Sequence, residues 1–125
     1  MNANLTMNKS LVSLINKLNK QFNDLDLHLH AVQHQKQELE HQIQHIEEQI
    51  NQIVPNSLSM NPEIEINWLN FLMQQQEKKE AMTLDLKNCQ ELQSKLHEKI
   101  TRVKMELKMI EHYLQREENP QKKRA

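Results

Sequence analysis

Apolar residues in the first half of the chain recur at alternating intervals of three and four. The series runs Leu11, Ile15, Leu18, Phe22, Leu25, Leu29, Val32, Lys36, Leu39, Ile43, Ile46, Ile50 and Ile53, with Lys36 its single polar member. A mean spacing of 3.5 residues draws a narrow stripe that stays in register with a partner helix over about six heptads. Taking Ile15, Phe22, Leu29, Ile43 and Ile50 as a positions makes the others d positions. A second series runs Trp68, Leu72, Gln75, Lys79, Met82, Leu86, Cys89, Gln93, Leu96, Ile100, Val103, Leu107, Ile110 and Leu114. Eleven of its fourteen members are apolar.

The two series are separated by helix-ending and helix-starting residues. Pro55 has no N–H to donate and disfavours helix at Val54, which predicts the end of the first helix there. Asn61-Pro62-Glu63 then reads as a helix start, with Asn as N-cap, Pro at the first helical position and acids in the first turn. Asn119-Pro120 ends the second helix. The expected architecture is all-α: a long two-helix antiparallel coiled-coil hairpin over residues 1–125. Helix 1 covers about 6–54, the turn 55–61, helix 2 about 62–118 and a basic tail 119–125. At 1.5 Å per residue each arm is about 70–80 Å long. Folding about the turn sets residues whose numbers sum to about 116 opposite one another. Lys36 then faces Gln75–Lys79, a hydrated polar layer that would fix register at some cost in stability. Glu91 with Lys95 and Glu98 with Arg102 are favourably oriented i,i+4 pairs.

Composition agrees with long exposed helices. The chain has no Gly, three Pro and four aromatic residues, Phe22, Trp68, Phe71 and Tyr113. Without Gly neither a phosphate-cradling loop nor a dinucleotide fingerprint can be written. The single Cys89 lies on the second stripe and reads as a small core residue; it offers no internal disulfide, in keeping with a reducing compartment. No apolar run approaches the roughly 20 residues of a membrane span, and the N-terminus lacks the apolar block of a secretory signal, so a cytoplasmic protein is expected. A two-helix hairpin has no cleft on which a nucleophile, base and orienting group converge, which predicts a binding protein and no catalytic residues.

Charge is segregated along the chain. From Gln37 to Glu77 there are seven acids and no Lys or Arg, whereas both flanking stretches are net positive. The hairpin is therefore expected to be acidic at the turn and basic where the termini meet, an arrangement suited to two unlike partners. Solvated faces with chance clustering are the alternative. Apolar residues outside the stripes also gather at both ends: Ile64, Ile66, Leu69, Phe71 and Met73 near the turn, and Leu5, Met7, Val12, Leu14, Met105, Met109 and Tyr113 near the open end. They read as docking surfaces, or as additional core at frayed ends. His30/His34 and His41/His45 have the i,i+4 spacing that can chelate zinc or nickel, but no third and fourth ligand completes a set, so no metal or cofactor is expected. Protonation of these histidines in mildly acidic solution would add positive charge to the acidic stretch. The Lys122-Lys123-Arg124 tail is too short, and stacking aromatics too few, to imply nucleic-acid binding.

Three stretches of the second helix resemble the flagellar export protein FliJ and its YscO-type relatives from virulence secretion. They are Asn67-Trp68-Leu69-Asn70-Phe71-Leu72, the following Gln74-Gln75-Gln76, and Lys108-Met109-Ile110-Glu111-His112-Tyr113-Leu114. The likeness extends over the chain in architecture, with helix 1 matching only in length and heptad pattern. This sequence departs from the family in being nearly neutral, less Arg-rich, and without a Trp in the middle of the second helix. The resemblance implies a cytoplasmic stalk of a type III export apparatus with no active site of its own. It would bind a hexameric export ATPase and the membrane export gate, with export chaperones as further partners, and would reach the membrane only through them. Carried over by position, Trp68, Leu69, Phe71 and Leu72 face the gate. Lys99, Arg102, Lys104, Lys108, Tyr113 and Arg116 face the ATPase. A generic coiled-coil scaffold and a hairpin chaperone for exported clients are the rival readings.

Overall fold

In the computed structural model the chain forms two long helices packed against each other as an all-α antiparallel hairpin, α1 over Asn2–Asn56 and α2 over Pro62–Glu118. The structure describes the backbone of residues 2–56 and 61–118, and the side chains of 9–52 and 61–117. The side chains of Leu5, Met7 and Ile53 and the whole basic tail lie outside these residues.

The helix starts and stops follow mostly from local chemistry. Asn61 caps α2: its Oδ1 accepts from the Ile64 N–H at 3.1 Å, and its carbonyl accepts from the Glu65 N–H at 3.0 Å. Glu63 and Glu65 stand in the positive first turn and Arg116 in the negative last one. Asn61→Ala should therefore cost about 1 kcal/mol of stability. Urea unfolding followed by circular dichroism checks this, and an unchanged midpoint would show the cap to be idle. The end of α1 differs from expectation, because the helix continues through Pro55 to Asn56. Proline's fixed φ is itself helical, so the helix runs one residue past Pro55 at the loss of the N–H bond that position would give to the Asn51 carbonyl. The N-terminal boundary also lies further out, at Asn2.

Burial follows the heptad stripes. Every side chain of the first series from Leu11 to Ile50, and every one of the second from Trp68 to Leu114, is buried or half-buried. Almost every other described side chain is exposed; Asp26, Gln33, Gln49 and Phe71 are the half-buried exceptions. The chain groups into two units. The first comprises residues 1–30 with 94–125, and its core is Leu18, Leu29, Leu96, Ile100 and Val103. The second comprises residues 31–93, with Val32, Ile46 and Cys89 buried.

Contacts across the seam correct the expected register. In the second unit Lys79 Nζ lies 3.2 Å from Glu47 Oε1. In the first, Lys104 Nζ sits 5.6 Å from the centre of the Phe22 ring. Both pairs have residue numbers that sum to roughly 126, as 47 with 79 and 22 with 104, not to about 116. Part of this offset is geometric. Side chains lean toward the N-terminus of their own helix, which in an antiparallel pair raises the sum at which long side chains meet. Lys36 and Lys79 accordingly pair with different carboxylates. The Lys36 Nζ turns to Glu40 Oε1 on α1 at 4.0 Å, while Lys79 is satisfied about three turns away along α1 by Glu47. The polar breaks in the two stripes are thus separate features, each with its own carboxylate.

Candidate partner-binding surfaces

Among the described residues no polar or charged side chain is buried, and no buried side-chain nitrogen or oxygen lacks a partner. Nor do three His, Cys, Asp or Glu side chains converge as metal ligands would. What the fold presents is surface: charged and apolar side chains carried on helices whose seam fixes their direction.

In the second unit, Trp68 and Phe71 pack edge to face, with ring centres 6.1 Å apart and planes at 86°. With Ile64 and Asn67 they line an open, largely apolar groove of about 440 Å³. Within the expected gate-facing set Trp68 and Leu72 belong to the seam stripe and are half-buried, Phe71 is half-buried beside Trp68, and Leu69 is exposed. Leu69 is 58% exposed, on the same side of α2 as Ile66 and Met73, which are also exposed. No Lys or Arg lies between residues 37 and 77, so this apolar stretch is surrounded by Glu63, Glu65 and Glu77.

In the first unit the six residues of the expected ATPase-facing set are all exposed. They alternate with the seam residues Ile100 and Val103, which are buried, so packing of the seam drives the cations outward. Lys104 is the one already engaged, over the Phe22 ring. Met105 and Met109, at 60% and 71% exposure, lie among them, with Tyr113 at 41%. The expected i,i+4 pairs Glu91–Lys95 and Glu98–Arg102 do not close. Ion pairs do form between Glu40 and Lys36 and between Glu47 and Lys79, and the His30 and His34 rings lie beside the Asp26 and Glu38 carboxylates. Freely rotating exposed side chains gain little from pairing, so an unpaired Arg102 costs almost nothing.

The histidines do not form one cluster. His30 Nδ1–H donates to the Asp26 carbonyl at 2.8 Å, and His34 lies 3.8 Å from Glu38. His41 and His45 border an open groove of about 620 Å³ with Gln42, Gln49, Gln75 and Lys78. Cys89 is a free, buried thiol in the seam, as its place on the stripe implies.

Three exposed apolar residues fall outside the clusters picked out above: Leu27 at 71%, Leu84 at 59% and Leu92 at 38%. Subtracting the stripes from the full set of apolar positions would have found them, since nothing but stripe membership separates Leu27 from Leu25. The two units differ sharply in charge. The first holds twelve Lys and Arg against seven Asp and Glu, the second four against ten. No helix among the described residues is long and apolar enough to cross a membrane. Comparison with known proteins returns no matching family model, curated relative or solved structure.

Proposed function

We propose that this chain is a stalk of a type III export apparatus, joining a hexameric export ATPase to the membrane export gate from the cytoplasmic side. One observation carries the reading: Lys99, Arg102, Lys108, Tyr113 and Arg116 are all exposed on a unit rich in cations, with the seam beneath them filled. Such a surface attracts an acidic partner over long range and offers Met105, Met109 and Tyr113 for apolar contact once the partner arrives. The likeness of Trp68–Gln76 and Lys108–Leu114 to FliJ-type proteins supplies the identity of that partner. On this reading the Trp68–Phe71 edge and Leu69 meet the gate, and the chain performs no chemistry itself.

The test uses purified export ATPase hexamer and the full chain. The expected result is one copy bound per hexamer, a several-fold rise in ATP hydrolysis, and affinity that falls as salt rises. Lys108→Glu combined with Arg116→Glu should weaken binding by at least about tenfold, since two favourable charges become two repulsive ones. A different stoichiometry, or hydrolysis unmoved by the chain, would overturn the proposal.

A further inference from the structure

Two faces of α2 that the seam leaves uncovered match each other in chemistry and in spacing. In the second unit Ile66, Leu69 and Met73 are 58%, 58% and 63% exposed, and Glu63 and Glu77 bracket them. In the first unit Met105, Met109 and Tyr113 are 60%, 71% and 41% exposed, and Arg102 and Arg116 bracket them. Steps of three and four residues place each set on one side of the helix. In both sets the bracketing charges stand about four turns apart, roughly 21 Å along the axis.

Laid antiparallel, the two sets align throughout. Glu63 meets Arg116, Ile66 meets Tyr113, Leu69 meets Met109, Met73 meets Met105, and Glu77 meets Arg102. Among the described residues none of the four bracketing charges has an ion-pair partner within the chain. Each is therefore available to an external one. We infer that the occupant of the acidic apolar face is the basic apolar face of a second copy of this chain. The wider field favours the same approach, because the basic face belongs to the unit with a surplus of cations and the acidic face to the unit with a surplus of carboxylates. Apolar contact at the centre supplies affinity, and the flanking charge pairs set direction and register.

This inference goes beyond the export reading and does not rest on it. The basic face overlaps the surface proposed for the ATPase, but the experiment contains this chain alone. Sedimentation equilibrium of the 15.0 kDa chain in low salt should reveal association that rises with concentration and weakens at least about tenfold in 0.5 M salt. Glu63→Lys with Glu77→Lys should abolish it, as should Arg102→Glu with Arg116→Glu. Mixing the two variants in equal amounts should restore it, since each then meets a complementary face. Helicity measured by circular dichroism should be retained in both variants, because all four positions are exposed. A wild-type chain that stays monomeric to about 0.5 mM, association surviving in either variant, or folded variants that fail to recombine would each overturn the inference.

Discussion

Leu96→Ala should lower the stability of the hairpin by about 2–3 kcal/mol, whereas Leu84→Ala should change it by less than about 0.5 kcal/mol. The two leucines lie on the same helix and differ in one respect. Leu96 is 3% exposed in the seam of the first unit, and Leu84 is 59% exposed on the outside of the second. Truncating Leu96 removes its burial energy and leaves a void that only the opposing helix can fill. The estimate sits toward the low end of the range for buried leucines, because a two-stranded seam is flanked by solvent and relaxes more readily than a layered core. Urea unfolding followed at 222 nm measures both variants. Equal losses at the two positions would mean that the seam is not where the stability resides.

The second large effect runs the other way. Lys36→Leu together with Lys79→Leu should raise stability by about 1–2 kcal/mol. Both lysines hold seam positions, with side chains 30% and 29% exposed, so each lies mostly over apolar neighbours. Leucine there returns roughly 25 cal/mol per Å² of apolar surface removed from water. Against this stands the loss of two partly exposed ion pairs, to Glu40 and Glu47, worth at most about 1 kcal/mol each. Glu47 is 47% exposed and remains hydrated without its partner, so no buried charge is orphaned. A fall in the urea midpoint would mean that the ion pairs hold the seam together. Lys79 also ties α2 to one place on α1, so the doubly substituted seam should tolerate slippage better.

The hairpin could be read from the chain because heptad spacing is a local property. A stripe repeating every 3.5 residues has one way to bury itself, against another such stripe, and Pro55 to Pro62 leaves room for a turn between them. Spacing alone puts Cys89 in the seam, and residue type and position alone make Asn61 a cap. Both assignments depend on neighbours within a few residues. The prospective surface was legible to the same degree: once the stripe is assigned, Lys99, Arg102, Lys108 and Arg116 have nowhere to go but outward. Trp68 and Leu72 show where a resemblance carried over by position blurs two roles, since both stand in one set with the exposed Leu69 but half-bury themselves in the seam. What α2 binds is not encoded in helix periodicity, and so rests on experiments with partners.

Register is what the sequence did not determine. A heptad stripe accepts any partner alignment displaced by whole layers, and the apolar positions are too alike to choose among them. Folding about the turn's midpoint sets Lys36 opposite Gln75–Lys79. The packed helices instead send Lys79 to Glu47 and Lys36 to Glu40. Side chains that lean toward their own N-termini, together with the particular fit of α1 on α2, made that choice. Local spacing and residue type dictate two helices, the face of each that is hidden, and the division of charge along them. Only the tertiary packing decided which residues meet across the seam, because that depends on how two whole surfaces interlock and not on any short run of residues.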